Sequence, residues 1–505
     1  MSALDIAIVL VYFAAVLGVG LFFRRRQQST EDYFLGSRSI PGWVVGFSVI
    51  GTMIGSTTFV GHPAAVFQED MWNLPFFMAL PVVMYFVSRY IVTLYRHRIR
   101  MSVYQYLELR LGYPARAYGA VAFLGSRVVD VSSTLFFLGI AVAYLTDVDV
   151  RWVIAFVGVM TLAYTLLGGI AAIAWADVLQ SVLLLGGGLT VMFVAYFGAD
   201  AGAGATIRSA WEGGRFGTGD WTPALDTLNA WMLLVGGTIW ALQRYAVDQH
   251  LVQRYLVARS DREARRATFT GAVACVPIWV MFMLIGAGIW GFYQTSGVAL
   301  PPEVLADSDT IVPHFIRTQC PGGLLGLIVA ALAAAAMSSL GADLNSVATV
   351  TVDDFYARFR PDSTDAERLR FGRLVVLAVG SAAILLATQW VGVESAIEFG
   401  VKLLSISTAG LLGLFALGLL TTRGNRTGAW AGILVCVVFT AWATLTSVTL
   451  PAMEGPLLDL GAWNYPYEPY LIGILNHLLL FGVGYLVSLF SRRRENVEGL
   501  SVWSM

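Results

Sequence analysis

About thirteen stretches of this chain are mostly apolar and long, and they constrain its fold more than any other feature. They cover residues 5–23, 42–66, 74–95, 116–145, 151–170, 175–198, 229–256, 268–293, 323–349, 371–391, 396–420, 428–450 and 469–490. A helix needs about 20 apolar residues to cross the ~30 Å hydrocarbon core of a bilayer. In lipid the backbone must satisfy its own hydrogen bonds, so runs of this length read as spanning helices. Only 13% of residues are charged and 57% are hydrophobic, against about 25% charged in soluble domains. The expectation is an all-α polytopic membrane protein with about 13 transmembrane helices.

The first run starts almost at the N-terminus and is followed, not preceded, by Arg24, Arg25 and Arg26. That order excludes a signal peptide and places the N-terminus outside. The remaining arginines agree. Alternate connections hold Arg38, then Arg96, Arg98, Arg100 and Arg110, then Arg259, Arg262, Arg265 and Arg266. After these come Arg358, Arg360, Arg368 and Arg370, then Arg423 and Arg426, and finally Arg492, Arg493 and Arg494. The opposite connections carry few, such as Arg208, Arg215 and Arg317. An odd number of spans leaves the C-terminus cytoplasmic, in a plasma (inner) membrane. The Gly- and Pro-rich loops at 199–228 and 294–322 read as surface loops or short lids, and the tail after Arg494 as disordered. A net charge of −1 supports no nucleic-acid partner, and Cys275, Cys320 and Cys436 form neither a disulfide framework nor a metal motif.

Chemistry in such a protein belongs where a span is interrupted, because irregular backbone at membrane depth is tolerated only where it lines a site. The second span holds Gly51, Thr52, Ile54, Gly55, Ser56, Thr57, Thr58 and Gly61 in its middle. This is the pattern of a discontinuous transporter helix, with a glycine-lined helix contact as the plain alternative. The ninth span carries Ala335, Ser338 and Ser339, then Asp343 and Asn345. Its hydroxyls suit a small hard cation, or simply bond back to their own helix. Asp177 opens the sixth span, as a helix cap or as a group facing a cation.

Three bases lie within spans, and each has an acid at helical spacing: Arg127 with Asp130, Arg244 with Asp248, and Lys402 with Glu398. They read either as internal ion pairs or, for Arg127 above all, as a receptor for a substrate carboxylate. No nucleotide-binding loop, haem motif or nucleophile cluster is present, so uphill transport would draw on an ion gradient.

Several ordered motifs then resemble one family. They are Glu31, Asp32, Tyr33, Phe34, Leu35, Gly36, Ser37 and Arg38 with Pro41, Gly42 and Trp43, followed by Gly168 and Gly169 with Trp175, Ala176 and Asp177. Next come Asp248 and Gln249 with Gln253 and Arg254, then Ser338, Ser339, Asn345 and Ser346. Last come Gly418, Leu419, Arg423, Gly428, Ala429 and Gly432, with Cys436 where a glycine is usual. Over nearly the whole chain this resembles the sodium:solute symporter family, whose members carry sugars, proline, pantothenate, sialic acid and monocarboxylates.

The resemblance implies a LeuT-type core of 5+5 inverted repeats over residues 42–420. An extra N-terminal span and basic inner loop precede it (1–41), and two additional spans with a short tail follow it (421–505). It implies a sodium site built from the carbonyls of Gly51, Ile54 and Ala335 and the hydroxyls of Ser338 and Ser339. It implies a second sodium at Asp177 only where two further serines are present, and here Gly341 and Ala342 stand at those positions. The substrate would meet Ser56, Thr57, Thr58, Phe77, Arg127, Gln243, Arg244, Tyr245 and Lys402. Phe76, Phe77 and Leu80 replace the polar contacts of sugar carriers, which favours a small carboxylate or amino acid.

The function expected is sodium-coupled symport of a small organic solute by alternating access, with Na+ as the coupling ion. The protein is read as a monomer in the lipid bilayer and not as an enzyme. The alternatives are a solute-sensing membrane module of the same fold, or a proton-coupled or uncoupled carrier.

Overall fold

A computed structural model describes residues 1–306, 310–321, 323–391, 410–449, 455–491 and 499–503, the side chains of Thr57 and Ala306 excepted. Among these residues the protein is helical, with only two isolated bridge pairs outside the helices.

Helix α1 (Ala3–Arg24) opens with a capping box in which Ser2 and Asp5 exchange hydrogen bonds. The other oxygen of Asp5 accepts from Gly326 N at 2.7 Å. This ties the N-terminal end of α1 to the start of the ninth span. A short helix α2 (Thr30–Leu35) follows. The second span is then two helices, α3 (Gly42–Met53) and α4 (Ser56–Gln68). They meet at a 51° bend. The interruption is at Ile54 (φ −102°, ψ 95°) and Gly55 (φ −101°, ψ −174°), which are extended rather than helical.

The third span is α5 (Pro75–Arg98). A short helix α6 (Tyr104–Leu111) leads to α7 (Tyr113–Thr146), the fourth span. Helix α8 (Val150–Phe197) has 48 residues. At 1.5 Å per residue it would extend about 70 Å, more than twice the hydrocarbon thickness. It folds instead at Gly169 (φ 55°, ψ −156°) into the fifth and sixth spans. Only glycine fits there, since a Cβ would lie 2.6 Å from the Tyr33 carbonyl oxygen.

The seventh span is also divided, into α9 (Ala230–Ala246) and α10 (Gln249–Leu256). Val247 and Asp248 leave helical geometry between them, and Asp248 caps α10 through His250 N. The main chain leaving α10 bonds to the main chain approaching α3: Ile40 N donates to Val257 O at 3.1 Å, and Arg259 N donates to Ile40 O at 3.2 Å. The two interrupted spans are therefore joined where the chain enters α3 and leaves α10.

Helices α11 (Asp261–Thr295), α12 (Leu324–Phe359) and α13 (Asp365–Gln389) follow, then α14 (Leu411–Leu420), α15 (Arg426–Ser447) and α16 (Tyr470–Phe490). Nine helices among the described residues are long and apolar enough to cross a membrane, and the bent α3/α4 pair makes a tenth. Residues 392–409, where most of the eleventh expected span falls, lie outside the described residues. The figure of thirteen is accordingly not fixed here.

Two expectations need refining. The loops at 199–228 and 294–322 contain helices, Gly202–Glu212, Pro302–Ala306 and Ile311–Gln319. The tail is not all disordered. Residues 499–503 dock against α6 and the end of α14, where Leu500 O accepts from Tyr106 Oη at 2.7 Å and Val502 N donates to Leu419 O at 3.0 Å. Backbone groups left by the end of α14 supply partners that a sequence pattern does not reveal.

Candidate functional site

The break in the second span frees backbone oxygens. The last carbonyls of any helix lack intrahelical donors, and α3 ends at Met53 in the interior of the protein. Helix α12 lies against this end. Ser339 Oγ donates to Thr52 O (3.3 Å) and sits 3.5 Å from Ala335 O, so two carbonyls and one hydroxyl converge. Gly55 faces the same hydroxyl, with its Cβ position 3.6 Å from Ser339 Oγ. Ala335, Ser339 and Thr52 are thus brought together at this break.

One turn earlier along α3, at Ser48, a second oxygen cluster surrounds Asp177. Its carboxylate accepts from the hydroxyls of Ser48 and Ser338. Arg254 Nη2 approaches it to 3.5 Å, and both charged groups are fully buried. The Arg254 guanidinium has no hydrogen-bond acceptor. Gly51 packs directly on this cluster: a Cβ there would lie 2.7 Å from Ser338 Oγ and 3.1 Å from Ser181 Oγ. The hydroxyl of Ser338 thus donates to Asp177, while that of Ser339 donates to Thr52 O.

Gly341 has no room for a side chain. A Cβ would meet the Tyr164 hydroxyl at 2.3 Å, and that hydroxyl is anchored by donation to Met337 O at 2.8 Å.

The intramembrane bases form one network at the break of the seventh span. Arg127 is 5% exposed. It pairs with Asp130 at 2.6 Å, with Asp343 at 3.0 Å and with Asp248 at 3.6 Å. Arg244 pairs with Asp248 at 2.8 Å and lies 4.0 Å from Asp130. Both helical-spacing pairs expected here are present. The cross-helix partners Asp343 and Asp248 were hidden from spacing because they come from other helices. Lys402 and Glu398 lie outside the described residues.

The chain matches the sodium:solute symporter family over residues 33–436. It belongs to that family. The symporter is 29% identical to the sodium/sialic acid symporter NanT of Aliivibrio fischeri, over 96% of this chain and 93% of the relative. It is 30% identical to the sodium/sialic acid symporter SiaT of Proteus mirabilis, over 86% and 88%. The sodium/glucose cotransporter of Vibrio parahaemolyticus is 27% identical over 91% and 88%. A substrate-bound, outward-open Na+-coupled sialic acid symporter superposes with a TM-score of 0.87 at 26% identity, covering 98% of this chain and 99% of that one. The protein is therefore a multi-pass membrane transporter that couples sodium to a small organic solute.

The symporter's expected solute residues do not all converge. Ser56 is 3% exposed and its hydroxyl has no partner, at the first turn of α4. Thr58 is buried beside it, and the Thr57 side chain is not described. Phe77 stacks on Trp279, with ring centroids 4.0 Å apart, in an aromatic group that includes Phe76 and Trp240. Gln243 turns toward α16, its Oε1 3.1 Å from His477 Nε2. Tyr245 is fully buried with its hydroxyl unpartnered. Ser48 and Ser181 were not among the residues singled out from the sequence, and Thr52 was named only as part of the interrupted span. Ser48 precedes Gly51 by three residues and Ser181 follows Asp177 by four, so helical spacing from residues already singled out would have found both.

Gly51→Ala is expected to abolish most uptake while leaving membrane insertion intact, because the added methyl must displace Ser338. Uptake and surface abundance measured on the same cells check this.

Proposed function

We propose that one sodium ion is bound at the α3/α12 contact, by the carbonyls freed at the break of α3 together with Ala335 O and Ser339 Oγ. The observation that carries this reading is the convergence of Thr52 O, Ala335 O and the Ser339 hydroxyl at an interrupted helix. Unwound carbonyls at a break are the usual sodium ligands of transporters with divided helices. Gly51 and Ile54 belong to the same end of α3 and complete the shell as its carbonyls turn. Ser338 acts from the Asp177 side, where sodium would pass on its way inward. Asp177 does not hold a second sodium in this reading. Arg254 already offsets its charge, and Tyr164 fills the space a side chain at position 341 would need.

The solute is a small carboxylate or amino acid received at the N-terminal end of α4. The N-terminus of a half-helix carries partial positive charge and free N–H groups, which suit a carboxylate. Ser56, with a buried hydroxyl lacking a partner, supports this position. Arg127 is not the carboxylate receptor, since three aspartates hold it. Arg244 is the more accessible base, its side chain 26% exposed beside Asp130. A single chain supplies every group, so the monomer is the working unit, with the N-terminus outside and the arginine-rich face cytoplasmic. No bond of the solute is made or broken.

Purified protein in proteoliposomes tests the reading. An inward sodium gradient is expected to drive uptake of a small acid or amino acid, and replacement of sodium by potassium to abolish it. A thermal-shift screen of acids, amino acids and sugars, with and without sodium, identifies the solute, because a ligand at 100 times its Kd stabilises by about 2.7 kcal/mol. Uptake indifferent to sodium removal, or stabilisation by sugars alone, would overturn the proposal.

A further inference from the structure

A crevice of about 730 Å³ opens beside the first span, at its arginine-rich end. One wall is α1, with Ala15, Gly18, Val19 and Phe22, and the other is α8, with Ala171 and Trp175. The segment between α2 and α3 forms the floor through Ser39 and Pro41, and Arg26 stands at the rim. The crevice is thus apolar along the direction of the membrane and basic at its mouth.

The charges at the mouth are unequal in availability. Asp32 also lines the crevice, but its carboxylate is engaged by Ser29 N, Gln28 N and the Ser37 hydroxyl. Arg26 has no acidic partner among the described residues. Its guanidinium lies over the rings of Phe22 and Phe23, at 5.2 and 5.7 Å. Arg24 and Arg25 are exposed next to it.

We propose that this crevice binds an anionic phospholipid from the leaflet on the arginine-rich side, one acyl chain lying between α1 and α8 and the phosphate meeting Arg26. Basic pockets between spanning helices on the cytoplasmic side have the charge complementarity for anionic headgroups. The site bears on transport through its floor. Gly36, Ser37 and Arg38 hold three successive left-handed conformations, with φ of 54°, 52° and 51°. Such geometry is strained for Ser37 and Arg38 and persists only where neighbours enforce it. It delivers the chain to Ile40, whose main chain bonds to Val257 and Arg259 at the end of the other divided span. A lipid seated on Ser39 and Pro41 therefore braces the junction that both divided helices share.

Gly18 provides a clean test, because nothing lies within 4 Å of a Cβ built there. Gly18→Trp fills the crevice without pushing on the fold, and Arg26→Gln removes an exposed charge. Neither residue belongs to the sodium or solute site, so the outcome does not depend on the proposed function. The purified full-length protein is exposed to equimolar phosphatidylglycerol and phosphatidylethanolamine, and retained lipid is counted by native mass spectrometry. The wild type is expected to retain one phosphatidylglycerol in preference to phosphatidylethanolamine. Gly18→Trp is expected to lose it, and Arg26→Gln to weaken it about fivefold, the factor one arginine supplies near an anionic headgroup. Equal retention of the two lipids by the wild type, or wild-type retention by Gly18→Trp, overturns the proposal.

Discussion

Ser339→Ala is expected to raise the sodium concentration that half-saturates uptake by roughly ten- to a hundredfold, with little change in the amount of protein in the membrane. The hydroxyl lies between Thr52 O and Ala335 O, where it would supply a side-chain oxygen to the proposed ion. Losing one such oxygen facing a full charge costs about 1.5–3 kcal/mol, and each 1.4 kcal/mol is about tenfold in affinity. The measurement is the sodium dependence of solute uptake at fixed low solute. Because solute binding is coupled to sodium, apparent solute affinity should fall in low sodium and recover at high sodium. An unchanged sodium curve would place the ion elsewhere.

Arg127→Gln is expected to act mainly on stability. Its guanidinium is shared by Asp130, Asp343 and Asp248; removal leaves Arg244 beside Asp248 and Asp130, and Asp343 with no basic partner among the described residues. Breaking a buried ion pair from one side costs about 3–5 kcal/mol, because the remaining charge stays desolvated. Low yield and a depressed melting temperature should follow, whatever the solute. The double variant Arg127→Gln with Asp343→Asn restores the charge balance and should recover much of the loss. Transport kinetics of that variant then separate the two roles. Near-normal affinity for an acidic solute supports a structural role, and selective loss of acids over neutral solutes would show contact with cargo.

These two residues also show how far sequence reaches. Both were visible as candidates: Ser339 by its place beside small residues in a span, Arg127 by its charge at membrane depth. The local pair of Arg127 with Asp130 followed from helical spacing alone. The partners on other helices did not, because period tells which face a residue shares within its own helix and nothing about the helix opposite. Ser338 makes the same point. Adjacent to Ser339 in sequence, it is rotated about 100° around the helix, and so serves Asp177 while Ser339 serves the α3 carbonyls. Gln243 was expected at the solute; its contact with His477 on α16 was not foreseen, since it depends on the packing of α16 against α9.

The sequence by itself determined the membrane setting, the helical class and the break in the second span. These follow from local rules: apolar length against bilayer thickness, and the weakness of a helix rich in glycine and hydroxyl residues. The fold of α8 at Gly169 belongs here too, because no straight helix of that length fits a bilayer. Tertiary structure alone decided which oxygens converge on Ser339, that Arg254 neutralises Asp177, that Tyr164 closes the space beside Gly341, and that three aspartates hold Arg127. Each of these depends on distances between helices far apart in the chain, and such distances are set by packing.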